Sequence, residues 1–375
     1  MTAVAAGELT LFLCGDVMTG RGVDQILPHP GDPQLREPGQ RDARAYVALA
    51  EAASGPIPRP VSFSWIWGDA LAVLDGWAPD ARLLNLETSI TRSGEFAPGK
   101  SIHYRMNPAN AGCLTAARPD ACVLANNHVL DFGRRGLTDT LHTLARVGLR
   151  TAGAGGDAQQ ARRPAIVPAD GGRVLLFACG LASAGIPPGW AAAPDRAGVD
   201  YLPGLIRAAA SDLTARIQAA RRPGDVVVVS LHWGPNWGYE VSRAEARFAR
   251  WLLDGGADLI YGHSAHHPRP IEVHRGKLIL YGCGDLVDDY EGIGGYQEYR
   301  DDLRLMYFAR LRRDDGTLAG LRMVPLQARK MRLRHASRAD AGWLAAVLSR
   351  VSAGFGPRVE VAADGTLALR WAGAG

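Results

Sequence analysis

Lysine is nearly missing from this chain. Of its 42 basic residues only Lys100, Lys277 and Lys330 are lysine, and the rest are arginine. Against 38 acidic residues the net charge is +4, too small an excess over 375 residues to mark a nucleic-acid-binding protein. Cysteine is sparse and unpatterned: Cys14, Cys113, Cys122, Cys179 and Cys283 form no Cys-x-x-Cys pair, and their number is odd. That excludes a disulfide framework and a thiolate zinc cluster, and a reducing compartment is expected. Cys14, Cys122 and Cys179 lie in apolar runs and read as small buried hydrophobes. No run of 18 apolar residues exists, so no transmembrane helix is expected. The chain enters a strand-like run at Leu9 without a basic, then apolar, leader, so a signal peptide is not expected and the predicted location is cytoplasmic. Two nucleotide and hydrolase signatures are also missing. Gly153-Ala-Gly-Gly156 is followed by no Lys-Ser/Thr, and there is no Gly-x-Ser-x-Gly elbow.

Glycine, in contrast, is abundant: 45 of 375 residues, about 12% against an average near 7%. Such a content predicts many tight turns and close backbone approaches. Hydrophobic residues at 47% and charged residues at 21% are ordinary for a folded globular chain, which excludes disorder.

Short apolar runs alternate with helical patterns. Leu9–Gly15 ends at Asp16, Ala81–Leu86 at Glu87, and Ala121–Ala125 at Asn126-Asn127-His128. Val174–Cys179 follows, then Val226–Leu231 before His232 and Leu259–Tyr261 before His263. Their length and β-branched content predict buried strands. Helices are predicted over 134–147, 204–220 and 242–254, the last with Ser242 as N-cap and Glu245 three residues on, a capping box. Strands alternating with helices predict an α/β layered fold. After residue 270 the pattern becomes strand-rich (270–274, 277–281, 303–312, 317–326), which predicts a second, mostly antiparallel sheet packed on the first. A helix over 338–352 and a hairpin around Asp364-Gly365 close the chain. The expected organisation is one domain over 1–327, with the Pro-rich stretch 28–60 as a surface excursion and candidate lid. The segment 328–375 is expected to be appended to that domain.

The polar clusters share one context: each follows a predicted strand, where α/β sheets bind ligands. Asp16, Glu87, Asn126-Asn127-His128, His232, and His263 with His266 together offer carboxylates, amide oxygens and imidazoles. That mixture of O and N donors suits a borderline or hard divalent ion such as Mn, Fe, Zn or Mg. Three histidines within Gly262-His-Ser-Ala-His-His-Pro268 are the strongest local signal. Arg21, Arg105 and Arg134 are candidates to hold an anionic substrate, and Trp233 and Trp237, just after His232, to wall a pocket.

These motifs, in this order, resemble those of the CapA family, proteins named for poly-gamma-glutamate capsule synthesis within the calcineurin-like metallophosphoesterase superfamily. The segments concerned are Gly15-Asp16-Val17-Met18, Asn85-Leu86-Glu87, Ala125-Asn126-Asn127-His128 with Asp131-Phe132-Gly133, His232-Trp233-Gly234 with Glu240, and Gly262-His263 with His266. The resemblance runs from about residue 8 to 327. It implies a four-layer α-β-β-α sandwich of two mixed sheets with one or two divalent ions at the sheet ends. It further implies Asp16 and His266 on a first metal, Asn127, His232 and His263 on a second, and Glu87 in the place of the bridging aspartate. His128 would polarise the substrate or protonate the leaving group. One departure stands out: Met18 occupies the position where the superfamily supplies a histidine, which weakens the first site. Metal-dependent hydrolysis of a phosphoester or an amide is the leading expectation. A peptide epimerase, with Asp16 and His128 or His266 exchanging a Cα proton, and a non-catalytic accessory of polyglutamate synthesis or export are the alternatives. The expected partner is an anionic small molecule or peptide, not nucleic acid.

Overall fold

In a computed structural model that describes residues 7–373, two sheets pack face to face with helices on both outer sides. The first sheet runs 358–361, 367–370, 318–328, 303–312, 8–17, 81–86, 121–123, 150–152, with 285–287 and 333–335 paired at its sides. The second runs 165–169, 172–180, 226–232, 259–263, 277–280, 271–274. Both sheets are mixed.

Alternation along the strands explains the layers. In Glu8–Val17, Leu9, Leu11 and Leu13 enter the core between the sheets, where they join Val174, Leu176, Val226, Val228 and Tyr307. Phe12 and Cys14 point the other way, against the helix residues Leu137 and Leu144 and against Ile66 and Trp67. In Val226–His232, Val227 and Val229 face Leu213 and Ile217 of helix Arg207–Ala220 and Phe248 and Leu252 of helix Arg243–Asp254. Strands covered on both faces must be apolar on both, which is why they read as unbroken runs. The capping box of Ser242 and Glu245 is present as expected.

The late strands do not form a sheet of their own. Leu303–Arg312 pairs antiparallel with Glu8–Val17, and Leu318–Ala328 lies beyond it, so both extend the first sheet. Ile271–His274 and Lys277–Leu280 complete the second. Glu8–Val17 holds Ala81–Leu86 on one side and needs a partner on the other. That partner comes from about 300 residues away, a pairing that no local pattern announces.

Within 28–60, strands Gln34–Glu37 and Gln40–Asp42 form a small hairpin and Arg44–Ser54 a helix. Glu37 on this segment is buried and paired with Arg21. At the other end, Arg358–Val361 and Leu367–Arg370 pair with each other, and the latter joins Leu318–Ala328. No helix among the described residues is long and apolar enough to cross a membrane.

Candidate metal centre

Parallel pairing aligns the carboxyl ends of the strands, and the polar residues collect there. His232 and His263 are direct register partners on neighbouring strands of the second sheet. Asp16 lies opposite them at the end of the central strand of the first sheet, and His263 Nδ1 is 3.9 Å from its Oδ1. Gly15 permits this packing: a Cβ there would sit 1.7 Å from the carbonyl oxygen of Gly284. The same closeness allows the Asp16 N–H to donate to that oxygen at 3.0 Å. Ser264, at φ 105, turns its N–H towards Asp16 Oδ2 at 3.3 Å.

Two groups of side chains are arranged to hold a cation, and Asp16 belongs to both. One is Asp16, His232 and His263, and the other is Asp16, His266 and Asp285; in each, one donor atom per residue lies within 4.8 Å of the others. Glu87 stands between the imidazoles, its Oε1 3.8 Å from the Nε2 atoms of both His128 and His232. Asn127 Oδ1 is 3.0 Å from His232 Nε2, and Ser230 Oγ is 2.6 Å from His263 Nε2. Asn85 Nδ2 donates to Asp16 Oδ1 at 2.7 Å and Asn126 Nδ2 donates to Asn85 Oδ1 at 3.1 Å, so these two amides brace the carboxylates.

Burial and crowding shift the titration of these groups. Burial, followed by the charge of Asp285, pushes the Asp16 carboxyl up to about 7. Burial and then Asp16 raise Glu87 as well. The Asp285 Oδ2 atom is buried with no hydrogen-bond partner. Burial, then the neighbouring His263, lowers His232, and burial lowers His263 to about 3. Crowded carboxylates beside neutral imidazoles are a donor set for a divalent ion.

His128 adjoins this centre rather than lining it. Its Nδ1 is 2.6 Å from Asp131 Oδ2, and burial holds its pKa down to about 4. Lys100 donates to Asp131 Oδ1 at 2.5 Å and to the Asn127 carbonyl. His266 is the opposite case: burial alone would lower it, but Asp285, 2.9 Å from its Nδ1, raises it above its ordinary value.

The structure therefore gathers Asp16, Glu87, Asn127, His128, His232, His263 and His266 in one place. It does not bring in the proposed substrate contacts. Trp233 is fully buried and its indole donates to the Tyr281 carbonyl at 3.0 Å, so it packs beneath the strand end instead of walling a pocket. Arg21 is buried between Asp289 and Glu37, with its guanidinium 3.8 Å from the Tyr46 ring centroid, and has no free face for a ligand. Arg105 donates to the Ser93 and Asp32 carbonyls. Arg134 is exposed and donates to the Ala197 and Gly189 carbonyls. All four are held by main chain or by buried acids, which spacing along the sequence does not reveal. Trp237 is one of the aromatics beside the centre, 5.4 Å from the His266 ring. His267, the third histidine of its cluster, is a bracket: its Nε2 accepts from the Gly238 N–H at 3.0 Å.

Asp285 is a further donor beside the residues that the strand ends nominate. A signal existed, because Cys-Gly-Asp occurs twice, at 14–16 and 283–285. The two aspartates are register partners, Asp16 on Asp285, in parallel strands. Asp285 thus joins Asp16 and His266 in one group of donor atoms.

A family model described as bacterial capsule synthesis protein PGA_cap matches residues 10–290. A Mycobacterium tuberculosis protein described as a probable polyglutamine synthesis accessory protein is 52% identical over 361 residues, covering 96% of this chain and 95% of that one. The PGA biosynthesis protein CapA of Bacillus subtilis is 30% identical over 224 residues, 60% of this chain and 56% of its own. Among solved structures, a 5'-nucleotidase precursor from Thermus thermophilus aligns at TM-score 0.46 and 14% identity over 85% of this chain. The alignment takes in 54% of the nucleotidase, so this chain spans about half of that protein's length.

Proposed function

Since this chain belongs to the family described as bacterial capsule synthesis protein PGA_cap, we propose that its buried centre holds divalent metal and hydrolyses a phosphoester or an amide such as a γ-glutamyl bond. The observation that carries this reading is the pair of donor groups sharing Asp16, together with the unpartnered Asp285 oxygen. Asp16, His232 and His263, with Asn127 and Glu87 beside them, would hold one ion, and Asp16, His266 and Asp285 another. When bound, a divalent ion supplies a water of lowered pKa and polarises a phosphoryl or carbonyl oxygen.

The chain's own residues then manage the protons. His128, neutral and with Nδ1 turned to Asp131, presents a bare Nε2 that accepts a proton before it can give one to a leaving group. Asp131, clamped by Lys100 and by the Tyr104 N–H at 2.7 Å, fixes that ring. His266, with its Nδ1 turned to Asp285 at 2.9 Å, would offer its other nitrogen to the second ion. The test is metal content of the purified chain and of Asp16→Ala, followed by turnover of p-nitrophenyl phosphoesters and γ-glutamyl peptides. A wild-type chain that binds no divalent ion refutes the reading.

One observation favours a second reading. Asp16 lies in one buried donor group with His266 and next to the His128–Glu87 contact, so without an ion there Asp16 and His266 or His128 would be the two groups that exchange a Cα proton in peptide epimerisation. Deuterium entering a peptide Cα from heavy water without cleavage would select it. The description of the M. tuberculosis relative, a probable polyglutamine synthesis accessory protein, is consistent with a non-catalytic accessory, an alternative that turnover in either assay would exclude. The five free thiols support a reducing, cytoplasmic setting.

A further inference from the structure

Two tyrosines join the acid/base histidines on the side of Met18. The Tyr104 ring meets His128 edge-on, centroids 4.6 Å apart, and the Tyr290 ring meets His266 edge-on at 5.2 Å. Their hydroxyls touch: Tyr104 Oη donates to Tyr290 Oη at 3.0 Å. A phenol has one proton to give. Tyr104 has spent its own on Tyr290, so among the described residues the proton of Tyr290 has as its partner only Met18 Sδ, at 3.8 Å. A thioether is a weak acceptor. A histidine at position 18 would offer a strong acceptor nitrogen to this hydroxyl; methionine leaves its proton for an incoming oxygen.

The pair is rigidly supported. The Arg21 guanidinium lies 4.4 Å from the Tyr104 centroid and 5.8 Å from that of Tyr290, and is itself held by Asp289. The Tyr290 N–H donates to Asp288 Oδ1 at 2.9 Å, and Asp288 is paired with Arg304. A donor fixed before the ligand arrives costs little to engage.

We propose that the Tyr290 hydroxyl, oriented by Tyr104, donates a hydrogen bond to an anionic oxygen, phosphoryl or carboxylate, of the molecule that enters the centre. This rests on the metal-site reading. Arg21, a candidate substrate clamp in the sequence, thereby acts at one remove as the support of the tyrosine pair.

The test uses calorimetry on the full chain, with Mn²⁺ titrated alone and then inorganic phosphate or glutarate added to the Mn²⁺-loaded protein. Tyr290→Phe is expected to bind Mn²⁺ within about twofold of wild type and to lose about tenfold in affinity for the oxyanion, as for one hydrogen bond to a charged group. A loss confined to phosphate or to glutarate tells which oxygen is recognised. A wild type that takes no Mn²⁺ overturns the metal reading and this proposal with it. Normal Mn²⁺ binding with unchanged oxyanion affinity in Tyr290→Phe, or with neither oxyanion bound by wild type, overturns the proposal alone. Should the variant fail to fold, tyrosine difference absorbance of loaded wild type on adding the bound oxyanion decides: a shift supports the proposal and a flat spectrum overturns it.

Discussion

Replacing Asp285 by asparagine should move two quantities in opposite directions. Without metal, Asp285 is one of three buried carboxylates, and its charge is the second cause, after burial, of the rise of Asp16 from 3.8 to about 7. A carboxyl whose folded pKa lies above its unfolded value binds its proton more tightly when folded. It therefore costs stability as pH rises from about 4, and the full cost is present above about 7. Holding the carboxyl at about 7 instead of 3.8 corresponds to about 4 kcal/mol. Burial is the larger part, so the share of Asp285 is on the order of 1 kcal/mol. Asp285→Asn should thus raise the melting temperature of metal-free protein at pH 8 by roughly 1–2 °C for a chain of this length, and by less or not at all at pH 5, where Asp16 is already protonated and His266 loses its anionic partner. With metal the sign reverses. The variant loses an anionic donor and the partner that orients His266 Nδ1, and loss of such a partner weakens metal affinity about 10–100-fold. Melting curves with chelator and with excess Mn²⁺, plus Mn²⁺ calorimetry, measure both arms. A variant that melts lower without metal and binds Mn²⁺ normally would refute the idea that Asp285 serves a cation.

Because Asp16 must lose its proton to bind metal, Mn²⁺ affinity should climb as pH rises towards about 7, by up to tenfold per unit, and flatten above; calorimetry between pH 5.5 and 8.5 reads this. Asp131→Asn should leave Mn²⁺ affinity nearly unchanged and lower kcat by about 10²–10⁴, since it frees the His128 ring without touching the donor groups. Arg21→Met leaves buried Asp289 and Glu37 unpaired and should cost about 3–5 kcal/mol in urea unfolding, whereas Arg134→Ala, on the surface, should change stability by less than about 0.5 kcal/mol. Gly15→Ala should fail to fold or lose metal binding, because its Cβ would overlap the Gly284 carbonyl; circular dichroism and metal content decide.

Much of the fold was legible because its strands are buried on both faces and its helices carry apolar residues at helical spacing. Val226–His232 and the box of Ser242 with Glu245 are local statements, and the structure repeats them. The candidate ligands were legible for a related reason: parallel strands bring their carboxyl ends to one edge, so a polar residue ending each apolar run is enough to nominate Asp16, Glu87, Asn127, His232 and His263. What each arginine and tryptophan does was not legible. Arg21 and Trp233 look like binding residues until Asp289, Glu37 and the Tyr281 carbonyl are seen to hold them. Asp285 was hidden in the same way, since only strand pairing sets the second Cys-Gly-Asp beside the first.

The sequence by itself determined most of the long buried strands and the polar residues that end them. Periodicity and burial are properties of neighbouring residues. The tertiary structure alone decided that the strands of the last quarter join the central strand of the first sheet. It also decided that Asp16 belongs to two donor groups, that Asp131 holds His128 Nδ1 and Asp285 holds His266 Nδ1, and that the Tyr290 hydroxyl faces Met18 Sδ. Most of these depend on groups far apart in the chain meeting at distances of a few ångströms, where burial and neighbouring charge set the protonation state of every group.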